Sequence, residues 1–275
     1  MTRRRVLLAG AGDLCLRTGR LLREQGDEVW ALRRRPPAHD STGLRWLAGD
    51  LARPLRGLPP GITHVVYAPA PDARDERAYR AVFEHGPRNL LAALDRAALQ
   101  RFVFISSSAV YGDHGGAWVD EDTPARPAAF NGRILLEAET WLREELGCAA
   151  SLRLAGLYGP GRVALLRRIA DGAARVPRGA GHWANRFHID DAARAVAHVL
   201  GLQHARQCYI GADDTPHLIE DLYDALARML GAPQPPYGPP GGETGSKRLG
   251  NARLRASGFV PAWPDAVLGY KSLIG

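Results

Sequence analysis

Val6-Leu7-Leu8-Ala9-Gly10-Ala11-Gly12-Asp13-Leu14-Cys15 is a short apolar run that breaks into a glycine turn and leads into an amphipathic stretch. The first four residues read as a buried strand, and Leu14 to Gln25 as a helix with Gly26 at its C-terminal cap. A strand, a tight glycine turn and a helix in that order form a phosphate-binding fingerprint. Gly10 permits the turn, and Gly12 lets a diphosphate approach the backbone at the positive end of the helix. Asp13 and Leu14 open that helix. Cys15 stands where a third glycine is usual, so helix and strand are expected to pack slightly farther apart. The same spacing elsewhere would say little; directly after a first strand it points to a dinucleotide.

Outward from this turn, short β-like runs alternate with helical ones. Glu28–Leu32, Leu44–Ala48, Thr63–Tyr67, Arg101–Ile105 and Ala150–Leu154 read as further strands, with helical periodicity over Ala78–Ala98 and Phe130–Leu146. The pattern predicts an α/β fold, a Rossmann-type doubly wound parallel sheet. After Pro160 it loosens into helices over Asp190–Leu202 and Ile219–Leu230, a strand over Gln207–Ile210, and a proline- and glycine-rich loop over Pro233–Gly245. The expected organisation is a dinucleotide domain over 1–160, with returning segments at about 186–214. A small C-terminal substrate lobe is expected from 161–185 and 215–275.

The end of the second strand chooses between cofactors. An acid there holds the ribose hydroxyls of NAD, whereas arginine accommodates the 2′-phosphate of NADP. This chain has Arg33-Arg34-Arg35 and no acid until Asp40. The position favours NADP(H) over NAD(H), with Arg33 and Arg34 as clamps; a solvated charge run is the competing reading.

Composition excludes other classes. Hydrophobic residues make up 45% and charged residues 24%, an ordinary globular balance. No run approaches the roughly 20 apolar residues of a membrane span, and the apolar stretch after Arg3-Arg4-Arg5 is too short for a signal peptide, so a cytoplasmic location is expected. Cys15, Cys148 and Cys208 are widely separated, each in an apolar run, and read as reduced, buried thiols. His182, His188, His198 and His204 have no ligand spacing, so no metal is expected. The net charge of +7 comes from arginines interleaved with acids, which argues against nucleic acid and for a cationic surface that steers small acidic ligands.

Several ordered stretches resemble the extended short-chain dehydrogenase/reductases, the sugar-nucleotide epimerase/dehydratase type. Gly49-Asp50-Leu51 resembles the family's adenine contact, and Phe104-Ile105-Ser106-Ser107-Ser108-Ala109-Val110-Tyr111-Gly112 its fifth-strand signature. Asp120-Glu121-Asp122-Thr123-Pro124, Arg153 to Gly161 and Asn185 to Asp191 match later segments in order. Candidate cofactor contacts are therefore Gly10, Gly12, Asp13, Leu14, Cys15, Arg33, Arg34, Asp50, Leu51, Ala68, Ala70 and Ser106.

The resemblance also implies a catalytic serine, tyrosine and lysine, the last two spaced as YxxxK. The serine falls on Ser107. The YxxxK frame falls on Phe130-Asn131-Gly132-Arg133-Ile134, so phenylalanine replaces tyrosine and isoleucine replaces lysine. Shifting the frame recovers no lysine, because the chain's lysines are Lys247 and Lys271. The chain thus resembles the atypical members. Tyr111 is a candidate phenol, with core packing as the alternative. Tyr158 and Arg186 are candidate substrate contacts, and Arg186 has a surface ion pair with Asp190 or Asp191 as its alternative.

Two functions stay open at this point. One is an oxidoreductase or epimerase/dehydratase with substitute catalytic groups, acting on a small molecule. The other is a non-catalytic NADP(H)-binding regulator or redox sensor. The helices over Ala78–Ala98 and Phe130–Leu146 correspond to those that pair in family homodimers; the alternative is that their apolar residues serve only the chain's own sheet.

Overall fold

Val6, Leu7, Leu8 and Ala9 have no exposed surface. A strand covered on both faces reads as a continuous apolar run, the mark of a central parallel strand. The computed structural model describes residues 3–39, 42–239 and 245–274. Asp40 and residues 240–244 of the expected 233–245 loop lie outside these.

The strands are β1 (Arg5–Ala9), β2 (Glu28–Arg33), β3 (Arg45–Ala48), β4 (His64–Tyr67), β5 (Arg101–Ser107), β6 (Trp118–Val119), β7 (Ala149–Leu154), β8 (Gly156–Tyr158), β9 (Trp183–Ala184), β10 (Arg186–His188), β11 (Cys208–Gly211), β12 (His217–Leu218) and β13 (Arg248–Leu249). Among the described residues, seven of them form one sheet in the order β11-β7-β5-β4-β1-β2-β3. The pairings of β1 with β2 and β4, of β2 with β3 and of β4 with β5 are parallel. The order reverses between β1 and β4. In open sheets of this kind, ligands bind beyond the carboxyl ends of the strands at that reversal.

The helices are α1 (Asp13–Glu24), α2 (Glu76–Arg80), α3 (Gly86–Ala93), α4 (Phe130–Glu145), α5 (Ala164–Ala170), α6 (Ile189–Gly201), α7 (Ile219–Leu230), α8 (Ala252–Ala256) and α9 (Ala266–Lys271). None of the described helices is long and apolar enough to cross a membrane.

The single helix expected over Ala78–Ala98 is broken. A π-helical turn over Ala81–His85 separates α2 from α3, and a 3₁₀ turn follows at Arg96–Ala98. Tyr67 supplies the cause, because its hydroxyl donates to the Val82 carbonyl at 2.5 Å inside the π turn. A side chain inserted into a helical ladder diverts its hydrogen bonds. Gly86 makes room, since a Cβ there would lie 2.1 Å from the Tyr67 oxygen.

The chain divides into two compact units. The first comprises Met1–Ser106, Arg133–Leu152 and Ala193–Tyr209; the second comprises Ser107–Gly132, Arg153–Ala192 and Ile210–Gly275. The expected dinucleotide domain, 1–160 with about 186–214 returning to it, differs from this division: 107–132, 153–160, 186–192 and 210–214 go with the second unit. Short strand pairs hold them there: β6 lies parallel to β13, and β8 parallel to β10. The second unit has its own core, in which Tyr158, Val176, Leu222 and Leu226 have no exposed surface.

Candidate functional site

In the first unit, the turn after β1 is shaped as expected. Gly10 has φ +86°, and a Cβ on it would fall 2.4 Å from Pro69 Cα, so glycine is required twice over. Its N–H and that of Ala11 donate to the Leu32 carbonyl at 3.0 and 2.9 Å, tying the turn to the end of β2. Gly12 caps α1 with no side-chain hydrogen bond, and a Cβ there would meet nothing nearer than the Gly10 oxygen at 4.0 Å. A helix terminus with donors uncapped by side chains, reached across a glycine, can take a diphosphate. Asp13 turns to Arg17 at 2.9 Å, and Leu14 is buried. Cys15 is 1% exposed, and burial pushes its thiol up to about 12, so it packs the helix and is not a reactive thiol. Cys148 and Cys208, expected to be buried, are only half-buried, because one lies in the turn between α4 and β7 and the other begins the edge strand β11.

Other expected cofactor contacts gather at the same strand ends. Ala68 N–H donates to the Ala9 carbonyl at 2.9 Å, and exposed Ala70 follows it. Asp50 accepts from the Ala52 N–H at 3.0 Å, and the Leu51 carbonyl accepts from Asn89 at 2.9 Å. Ser106 is 5% exposed, and its buried Oγ has no hydrogen-bond partner among the described residues. Such an orphan hydroxyl at the end of β5 suits a bound polar group. Arg33 is exposed, and its carbonyl accepts from the Gly49 N–H at 3.1 Å. Arg34 is engaged by a residue that sequence reasoning missed, Asp72, in a two-point ion pair.

The second unit contains a cavity of about 600 Å³. Its lining includes Ser107, Arg168, Arg175, His182, Arg186 and Lys247. No carboxylate side chain is among the described lining residues. Ser107 comes from the end of β5, where its Oγ accepts from the Ala109 N–H at 3.2 Å and opens the turn Ser108–Tyr111. Of the expected substrate and catalytic candidates, Ser107 and Arg186 meet here.

Tyr158 and Tyr111 do not. Tyr158 is fully buried, stacked on Tyr270 with ring centroids 4.3 Å apart. Tyr111 is also fully buried, with the Arg153 guanidinium 4.9 Å from its ring centre. Both are excluded from the cavity by the packing that large aromatic rings favour. Nor does Arg186 form the expected surface pair. It donates to the Asn185 carbonyl at 3.4 Å, while Asp191 accepts from the Ala262 and Trp263 N–H groups. Phe130 opens α4 half-buried, and Ile134, one turn on along the same helix, is 1% exposed.

Lys247, Arg168, Arg175 and His182 were not singled out as site residues from the sequence. Lys247 is 3% exposed and its Nζ donates to the Gly112 carbonyl at 2.9 Å. Its scarcity, as one of two lysines in the chain, was the available signal. Among the described residues no cluster of histidine, cysteine or acidic side chains could hold a metal ion.

A parallel sheet with its order reversal at a glycine turn, and a serine leading from β5 into a basic cavity, define a dinucleotide-binding α/β protein. The chain belongs to the NAD-dependent epimerase/dehydratase family, whose model matches residues 10–211. That family is nicotinamide-dinucleotide dependent. Protein YeeZ of Escherichia coli K12 is 32% identical over 173 residues, which is 62% of this chain and only 61% of that protein. A Methylobacillus flagellatus structure assigned to the NAD-dependent epimerase/dehydratase class is 33% identical over 99% of this chain and 98% of its own, with a TM-score of 0.81. The UDP-glucose 4-epimerase of Thermus thermophilus, solved with NAD, shares the fold at 22% identity, covering 98% of each chain with a TM-score of 0.76.

Proposed function

We propose that this chain is an NADP(H)-dependent oxidoreductase of the epimerase/dehydratase type that acts on a small anionic molecule with non-standard catalytic groups. The observation carrying this reading is the cavity in which Ser107 shares a lining with Arg168, Arg175, Arg186 and Lys247 and with no described carboxylate. Its volume suits a small ligand, and arginine forks suit phosphate or carboxylate. A sugar nucleotide, the substrate class named for the Thermus epimerase, has that chemistry.

A bound nicotinamide dinucleotide would supply hydride transfer. Gly10, Gly12, Asp13, Leu14 and Cys15 would hold its diphosphate, Asp50, Leu51, Ala68 and Ala70 its adenosine end, and Ser106 a polar group beyond. Arg33 and Arg34 would favour the 2′-phosphate. Ser107 would polarise the substrate oxygen.

A second reading, a non-catalytic NADP(H)-binding sensor, is supported by the YxxxK frame falling, by the resemblance, on Phe130 and Ile134, since neither side chain can move a proton. Calorimetric titration with NADPH and NADH, followed by NADPH oxidation against sugar-nucleotide ketones and α-keto acids, separates the two. Binding with turnover supports the oxidoreductase, stoichiometric binding without turnover the sensor, and binding of neither dinucleotide sinks both. A homodimer through the helical stretches 78–98 and 130–146 belongs to this reading; light scattering that gives a monomer at all concentrations removes it.

A further inference from the structure

The cavity joins two residues distant in sequence, Ser107 and Lys247. The lysine is positioned from several directions. Its Nζ is held by the Gly112 carbonyl, and its own carbonyl accepts from the Asn185 amide at 2.9 Å. The preceding Ser246 N–H donates to Asp113 at 2.8 Å, and the following residues form β13 against β6. An amine fixed in this way reaches a defined place, as proton transfer requires.

The charged groups acting on it are Asp113, which favours the ammonium, and His182, which shares its field. Arg168, Arg175 and Arg186 complete the basic lining. Burial outweighs Asp113 and brings the Lys247 amine down to about 8, so both of its forms exist near neutral pH.

We propose that Lys247 is the catalytic proton-transfer residue of this cavity, in the role that Phe130 and Ile134 cannot fill. The proposal rests on the oxidoreductase reading. In reduction, one N–H bond of the ammonium breaks and an O–H bond forms on the former carbonyl oxygen. A bound reduced nicotinamide dinucleotide would supply the hydride, with its two electrons, to the carbonyl carbon and would be oxidised in doing so. The neutral amine then regains a proton from water. Ser107, whose Oγ accepts from Ala109, donates its hydroxyl hydrogen to the same substrate oxygen.

Two measurements test this. Pyridoxal 5′-phosphate, an anionic aldehyde, followed by borohydride and peptide mass mapping, reads the amine without cofactor, with Lys271 as internal reference. Lys247 is expected to label about tenfold faster than Lys271 at pH 7.5, with a pH midpoint well below the ordinary lysine value of about 10.4. Labelling of Lys271 first, or an ordinary midpoint for Lys247, overturns the proposal.

The second measurement is NADPH oxidation with the ketone and keto-acid panel. Lys247→Met loses about 10²–10⁴-fold in kcat, and Lys247→Arg does not restore it, while NADPH affinity and Tm confirm that both variants fold. Undiminished turnover in Lys247→Met overturns the proposal. No turnover by the wild type, with Lys247 labelled as expected, instead overturns the oxidoreductase reading and the hydride step with it, so the two failures are distinguishable.

Discussion

Arg34 grips Asp72 through both terminal guanidinium nitrogens, linking the end of β2 to the segment after β4. The pair holds the Asp72 carboxyl below its ordinary range, with the Arg34 hydrogen bond the largest cause. A 2′-phosphate, if NADP(H) binds as proposed, would meet an arginine already in place and a carboxylate that repels it. Arg34→Ala is expected to weaken NADPH roughly ten- to a hundredfold with NADH unchanged. Asp72→Asn removes the repulsion but leaves the arginine, and should tighten NADPH by about two- to fivefold, less at high salt. Fluorescence titration reads both. Equal NADPH and NADH affinities that neither change alters would refute the clamp.

Asp213 gives a pH signature. It is 2% exposed, and burial carries its carboxyl up to about 8 against the pull of the Thr215 N–H and Arg186. Its folded value lies above the ordinary value of about 3.9, so its contribution to stability is complete below that value and is lost as pH rises through 8. His64 works in the opposite direction: burial first, then Arg4, push it down to about 4, so its contribution is lost as pH falls from about 6.5 towards 4. Asp213→Asn should therefore gain Tm over the wild type steadily from pH 5 to about 8 and level off above it. A difference that stays flat across that range would show that Asp213 ionises normally.

Tyr158 offers a test of what the cavity excludes. Its hydroxyl is buried without a hydrogen-bond partner among the described residues. Removing an unsatisfied buried group costs little, so Tyr158→Phe should leave stability unchanged or raise it by up to about 1 kcal/mol. Ligand affinity should stay within about twofold, which is within about 0.4 kcal/mol. A tenfold loss of affinity with normal folding would return Tyr158 to the substrate site.

Placing tyrosine at 130 and lysine at 134, the positions proposed for the YxxxK frame, should fail on stability. Ile134 is 1% exposed, and a lysine there buries an ammonium without a prepared partner. Ile134→Lys is expected to cost about 3–5 kcal/mol in urea unfolding, and Phe130→Tyr, at a half-buried position, less than about 1. The double variant should gain no carbonyl reduction. A stable double variant with new turnover would mean that the ground beside α4 still accepts the old chemistry.

The sequence carried the parts of the fold that depend on local order. The apolar run before Gly10, the helix after Gly12 and the run through Phe102, Val103 and Phe104 are consequences of burial on both faces of a parallel sheet, which leaves a continuous hydrophobic signature. The break in the helix after residue 80 was hidden because its cause, the Tyr67 hydroxyl on the Val82 carbonyl, comes from another strand. Arg34 was visible by position, but Asp72 was not, since their pairing depends on how two loop segments converge. Lys247 is legible in the sequence only as a lysine unable to serve the YxxxK frame. Its place in the cavity lining that includes Ser107 goes with β13 pairing with β6, a contact between distant segments that no periodicity records.

Ile134 also bears on history. A lysine arriving there first meets dry surroundings and harms the chain, and a tyrosine arriving first at 130 lacks the ammonium that would sharpen its acidity. Neither single step improves on the present state, so mutation must cross a valley to reach a tyrosine–lysine pair there. The route is a ratchet: descendants of this chain are more readily driven to refine the basic groups they already hold than to install that pair.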